Sequence, residues 1–260
     1  MPSSVRNYLS GVRTLHIFHG LPFTDSKDFL LQLELRGIAR LDPHVPLRAI
    51  PVTPSILRSF LQFMDAGSSL HCSVWACSLF CFFTMARLGS ILPSGKATPL
   101  HTILTRNRVN FSQQGLLITL LHTKTIQFGR RRLHIPLIRH NSSLCPVRAY
   151  EQLLTFLDLE DSGPAFVFLD QGKPCWLTRS VFISTFRSVL GLGGVSNATF
   201  FTGHSFRRGG ATWAFQAGIP GELIQICGDW VSDAYKRYLE FSMDDKLHLA
   251  AQFVRHLPRS

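Results

Sequence analysis

His204 and Arg207 stand three residues apart in the run Gly-His-Ser-Phe-Arg-Arg-Gly-Gly-Ala-Thr over 203–212. That spacing puts both on one face of a helix. A proton carrier active near neutral pH beside a fixed, forked cation suits a phosphodiester, since the guanidinium can hold two oxygens while the imidazole moves a proton. Taken alone, the pair is equally what a solvated basic helix face looks like. Gly209 and Gly210 in mid-helix each cost about 1 kcal/mol relative to alanine, a cost that close approach of another backbone accounts for. Upstream, Arg87 ends an uncharged run over 71–86, where a cation is expensive unless it faces a site that holds an anion. Lys124, in the run 121–125, is expected on a strand ahead of a turn. Downstream, Gly228, Asp229 and Trp230 form a helix-ending turn, and Tyr235 and Tyr238 follow on the next helix.

The elements that must position these residues are legible from periodicity. Apolar residues at Val5, Tyr8, Leu9, Val12, Leu15 and Phe18 predict a helix over 5–19, and a second helix follows at about 25–38. A charged, proline-containing passage over 40–51 reads as a linker, and two helices make only a thin core, so the N-terminal piece resembles an incomplete domain. Thr53 and Pro54 open a helix to about residue 64, and the buried helix ending at Arg87 comes next. The chain then turns to β character: strand-like runs at 116–127 and 131–138, separated by a turn at Gly129, predict an antiparallel pair. Helices over 146–157 and 180–190 flank a short strand at 165–169. The last sixty residues are helical, with stops at Gly218 and Gly228 and a new helix beginning near Ser232. The expectation is a mainly α fold with a small antiparallel β-sheet, an α+β class, divided into domains at 1–46 and 47–260.

Composition limits the partners. Hydrophobic residues make up 45% of the 260 residues, with 21 phenylalanines, which is enough for a substantial core and excludes a disordered chain. The 27 Lys and Arg against 16 Asp and Glu leave a formal charge of +11. A surplus of that size points to a polyanionic partner; a ribosome-like surface or an anionic membrane surface is also compatible with charge alone. The uncharged run over 71–86 is shorter than the ~20 residues needed to cross a bilayer and reads as a core helix. None of the six cysteines forms a Cys-x-x-Cys pair. They are expected as free thiols without metal, in a reducing intracellular compartment.

The order Arg87, Lys124 in a hairpin, His204-x-x-Arg207, the Gly228-Asp229-Trp230 turn and Tyr238 resembles that of the tyrosine recombinases, the phage-integrase family. The segment 228–238 is similar to the eukaryotic mobile-element branch, the Ngaro- and DIRS-like retroelements and the Cryptons. The resemblance runs from about residue 48 onward, and the segment 5–19 looks like the later helices of the family's core-binding domain. It implies a tyrosine-recombinase catalytic fold at 47–260, preceded by a partial, helical DNA-clamping domain at 1–46.

The resemblance further implies site-specific DNA cleavage and rejoining through a 3′-phosphotyrosine intermediate, for recombination or integration of a mobile element. Arg87 and Arg207 would clamp the non-bridging oxygens of the scissile phosphate, and Trp230 would add its indole N–H. Lys124 would protonate the leaving 5′-oxygen, His204 would assist proton transfer, and Tyr238, rather than Tyr235, would be the nucleophile. Arg130, Arg131 and Arg132 are candidate DNA contacts, and Arg208, on another side of its helix, is a candidate contact to DNA or to the protein core. The partners implied are double-stranded DNA and further copies of the chain, as a tetramer on paired sites, with no cofactor, metal or membrane; the location is nuclear for a eukaryotic element and otherwise intracellular on DNA. Two features depart from the family. Ser90 stands where many relatives carry an acidic residue supporting the first arginine, and the N-terminal domain looks truncated. These keep open a decayed or truncated recombinase that only binds DNA; a nick-and-reseal enzyme like type IB topoisomerases is the third reading.

Overall fold

The structure, a computed structural model, describes residues 2–23, 28–41, 49–126, 131–157 and 162–239, together with positions 243, 247 and 251. The chain divides into two compact units, 1–48 and 49–260. In the first, the periodic N-terminal segment forms α1 (Pro2–Phe18) and the next forms α2 (Phe29–Leu41). Leu35 is buried, while Tyr8, Leu15, Phe18, Phe29 and Leu30 remain exposed. Much of the linker passage, 42–48, lies outside the described residues.

In the second unit, the Thr53 side chain accepts from the Ile56 N–H (3.3 Å) and Pro54 opens α3 (Pro54–Phe63), a start that satisfies one otherwise orphaned amide. Ser68 caps α4 (Ser69–Thr84) in the same way. This uncharged helix is buried almost throughout, and its hydroxyls turn back on its own carbonyls: Ser78 to Val74 (2.8 Å) and Thr84 to Phe80 (2.7 Å). Among the described residues no helix is long and apolar enough to cross a membrane. α4 stops at Met85, which adopts a left-handed conformation (φ 51°), and Arg87 then caps the short α5 (Leu88–Ile91).

Strands β1 (Val109–Ser112), β2 (Gly115–Leu120) and β3 (Leu133–Ile138) form an antiparallel sheet in that order, with Val109 opposite Ile118 and Thr119 opposite His134. One expectation changes here. β2 ends at Leu120, so the strand read over 116–127 is shorter than its apolar pattern suggested. The polar residues after it bond to another part of the chain instead of continuing the ladder. Gly129 lies outside the described residues.

After α6 (Pro146–Leu154), the single strand expected at 165–169 is a hairpin of β4 (Val167–Asp170) and β5 (Lys173–Trp176). Gln171 (φ 48°) and Gly172 (φ 76°) make its two-residue turn, the left-handed pair that matches strand twist. The chain ends with α7 (Arg179–Leu192), α8 (Gly203–Gln216), α9 (Gly221–Cys227) and a 3₁₀ helix over Asp233–Tyr238.

The core is aromatic. Phe60 stacks on Trp75 and Phe186, and Phe186 meets Phe206 with ring centroids 4.8 Å apart. α8 enters this core through its paired glycines. A Cβ on Gly209 would collide with the Val52 carbonyl, and one on Gly210 with that of Phe82. Only glycine lets both backbones come so close.

Candidate active site

The N-terminus of α8 is fixed by the Ser205 hydroxyl, which accepts from the Thr202 N–H (2.9 Å). One turn in, Arg207 is buried, with 2% of its surface exposed. Its Nη1 donates to the Met85 carbonyl, the group presented by the left-handed end of α4. Its guanidinium carbon lies 3.7 Å from the centre of the Trp230 ring, a cation–π arrangement. Its Nη2 is buried and has no hydrogen-bond partner among the described residues. Burial, then repulsion from Arg87, pulls the Arg207 pKa down to about 9, against opposing attraction from Tyr238 and Asp229. A buried cation with an unused donor is costly unless something anionic comes to it.

Arg87 is half-buried and lines a small pocket with Ser90, Thr123, Arg207, Gly228 and Asp229. Ser90, the departure from the family pattern, is therefore in the pocket wall. His204 is exposed at the start of α8, yet desolvation of its ring, then Arg207 and Arg87, lower its pKa below the usual imidazole value. Neutral imidazole accepts a proton, so this shift suits a base more than an acid.

Trp230 is buried at 7% exposure, and its ring lies where any side chain on Gly228 would be. That overlap explains the glycine two residues before it. The two candidate tyrosines have different surroundings. Tyr235 is buried against Gly221, where an added Cβ would lie 2.7 Å from its hydroxyl. Both rings lie by Trp230, with centroids 6.2 Å away for Tyr235 and 5.8 Å for Tyr238, but Tyr238 is only half-buried and its carbonyl is bonded by the Thr212 hydroxyl of α8. Arg87, His204, Arg207, Trp230 and Tyr238 thus come from four separate chain segments into one neighbourhood.

Lys124 is not on a strand. It is exposed in the connection that follows β2. That connection is organised by a residue that spacing did not single out, Asp229. Its carboxylate accepts from Thr123 Oγ1 (2.6 Å), Thr125 Oγ1 and Arg131 Nη2, and these bonds hold its pKa down despite burial. Asp229 is itself left-handed (φ 56°), a cost of order 1–3 kcal/mol in a non-glycine residue. Its position between Gly228 and Trp230 was the available signal, but its partners lie about a hundred residues upstream.

The basic residues expected on DNA divide. Arg132 is exposed, Arg131 is half-exposed and tied to Asp229, and Arg130 lies outside the described residues. Arg208 is instead inside the protein: it is buried, and its Nη1 donates to the Ala49 carbonyl (2.9 Å). A side chain so enclosed cannot lie along a duplex. Among the described residues no group of three or more metal-ligating side chains occurs, and all six cysteines are free thiols.

This arrangement of helices around a small antiparallel sheet is the catalytic-domain fold of the tyrosine recombinases. Among solved structures, the Tn1549 transposon integrase in complex with transposon right end DNA is similar at TM-score 0.59 and 16% identity, covering 97% of this chain and 79% of that one. XerA recombinase is similar at TM-score 0.55 and 17% identity, over 100% of this chain and 84% of its own. The XerH site-specific recombinase, bound to palindromic difH substrate in a post-cleavage complex, matches at TM-score 0.54 and 15% identity over 79% of this chain. The present chain spans about half (53%) of the XerH chain. Neither a family model nor a curated protein matches the sequence.

Proposed function

We propose that this chain is a DNA strand transferase of the tyrosine-recombinase class, cutting and rejoining DNA through a 3′-phosphotyrosine. The observation that carries the reading is Arg207: a buried guanidinium with an unpartnered nitrogen, stacked on Trp230, with Tyr238 beside that ring and Arg87 in the same pocket. A phosphodiester supplies what the pocket lacks. Arg87 and Arg207 hold its non-bridging oxygens and offset the charge that develops as phosphorus becomes pentavalent. The Tyr238 oxygen attacks phosphorus, giving up its phenolic proton with help from His204, and a tyrosine–phosphorus bond forms. The bond to the 5′-oxygen breaks, and that oxygen takes a proton from Lys124. The new ester conserves the energy of the old one, so a 5′-hydroxyl from another strand reverses the step without a nucleotide.

In this reading the unit from 49 onward is catalytic, the N-terminal helices belong to a DNA-clamping domain, and four copies act on two duplexes. Arg131 and Arg132 lie beside the backbone. The +11 charge of the chain suits that partner. The resemblance of the 228–238 segment to eukaryotic mobile-element recombinases supports DNA of such an element as the substrate, with a nuclear location if the element is eukaryotic and otherwise an intracellular one on DNA.

The test is covalent trapping on nicked suicide duplexes, selected from a random-sequence pool by recovery of protein-linked DNA. A denaturing gel then compares wild type, Tyr238→Phe and Tyr235→Phe. An adduct that only Tyr238→Phe loses is the expected result. Loss confined to Tyr235→Phe moves the nucleophile, and no adduct from wild type despite DNA binding leaves a protein that only binds.

A further inference from the structure

Resting on the reading above, we infer that Asp229 is a positioning residue for the leaving-group proton donor, fastening the Lys124 connection to the turn that carries Trp230. Three donors converge on one carboxylate, and all come from the same connection: Thr123 and Thr125 flank Lys124 on either side, and Arg131 closes the far end. The connection has its own internal lock, since the Thr123 hydroxyl also accepts from the N–H groups of Thr125 (3.2 Å) and Ile126 (3.0 Å). Thr123, Thr125 and Arg131 bond this connection to Asp229, on the segment that carries Trp230. On the other side, Asp229 immediately precedes Trp230, whose ring lies under Arg207. One carboxylate therefore sets the spacing between the segment bearing the acid and the segment bearing part of the phosphate clamp.

The geometry also says what Asp229 does not do. Its oxygens are taken by the connection, and Arg207 spends its bonded nitrogen on the Met85 carbonyl. Asp229 attracts the Arg207 guanidinium across the pocket without bonding it. The left-handed backbone of Asp229 stops α9, with the Trp230 N–H bonding back to the Gln225 carbonyl (3.0 Å); the three donors then fix where its side chain lies. An exposed lysine on an untethered connection would wander by more than the fraction of an ångström that proton transfer tolerates; the tether removes that freedom.

The consequence is specific to one bond. Removing the tether should slow departure of the 5′-oxygen and leave phosphate binding and tyrosine attack intact. A duplex carrying sulfur in place of the bridging 5′-oxygen separates these effects, because a thiolate, whose conjugate thiol has a pKa of about 8.5, leaves without a proton. The experiment measures single-turnover adduct formation on matched oxygen and sulfur duplexes at the site found by covalent selection. Lys124→Ala and Arg87→Ala serve as benchmarks for loss of the acid and loss of the clamp.

Asp229→Asn, nearly isosteric, is expected to slow the oxygen duplex roughly 10-fold or more, a part of the ~10²–10⁴ a general acid contributes. On the sulfur duplex it should return to near the wild-type rate, as Lys124→Ala should. Thr125→Val removes one donor and leaves Asp229 in place; it should give the same pattern more weakly and decides the matter if Asp229→Asn does not fold. Equal slowing on both duplexes, as in Arg87→Ala, overturns the inference, and so does an unchanged rate on both. If wild type forms no adduct with any selected duplex, the proposed function itself falls and takes this inference with it.

Discussion

Around Phe186, the second unit buries rings against rings: Phe60, Phe182, Phe201 and Phe206 all lie with centroids 4.8–6.3 Å from it, and none carries a polar atom in need of a partner. Around Arg207, on the same helix as Phe206, burial is just as complete, but its content is different. There the protein encloses a guanidinium with an unpartnered nitrogen, a second arginine half-buried nearby, and two non-glycine residues in left-handed conformations, Met85 and Asp229. The first region is stable by its own packing. The second keeps a buried cation short of a partner, which the proposed phosphodiester would relieve, and a binding or catalytic surface is where such a rule is expected to be broken.

The contrast can be broken most severely on the scaffold side. Phe186→Ala should lower unfolding free energy by about 3–5 kcal/mol, as for other large aromatic truncations, measured by urea denaturation. Arg207→Ala should behave in the opposite sense. Adduct formation should fall ~10²–10³-fold, the loss typical of one donor to a developing charge, while the melting temperature holds or rises because an unsatisfied buried cation is gone. A fall in melting temperature matching that of Phe186→Ala would place Arg207 with the scaffold.

Gly210→Ala probes the seam between the two regions, where a Cβ meets the Phe82 carbonyl. It should cost about 1–3 kcal/mol through overpacking and reduce activity only as far as it shifts Met85 and Arg207. The smallest expected effect is on pH dependence. Burial and the neighbouring arginines favour neutral His204, so this group stays unprotonated into more acidic solution than a free imidazole. The cleavage rate should hold its plateau below the ordinary imidazole range and then fall as His204 takes up a proton. Weakening the repulsion by Arg87→Gln should move that fall to higher pH.

The aromatic scaffold and much of the site follow from local pattern. The uncharged run ending at Arg87, the three-residue spacing of His204 and Arg207, and the punctuation at Gly218 and Gly228 are all properties of neighbours in sequence, and helices report them faithfully. What local pattern could not supply depends on distant partners. Arg208 is open between DNA and the protein core until the Ala49 carbonyl is placed beside it. Lys124 reads as a strand residue because the apolar run of β2 leads up to it, and the bonds that draw its neighbours to Asp229, over a hundred positions later, have no local signature. The same distance hid Asp229, which a motif shows only as the residue between a glycine and a tryptophan. The choice between Tyr235 and Tyr238 was made on resemblance, and the structure adds a physical difference between them: one is packed against Gly221 and the other is partly open beside Trp230.

The bond from the Thr212 hydroxyl to the Tyr238 carbonyl has a genetic consequence. It anchors the candidate nucleophile to the very helix that carries His204 and Arg207, so under the proposed function the attacking oxygen and the phosphate clamp come from one polypeptide. Two defective copies, one lacking Tyr238 and the other Arg207, would then be unable to lend each other the missing part. Mixed assemblies of the two should show no complementation, and each lesion should act only on the half-site its own subunit occupies.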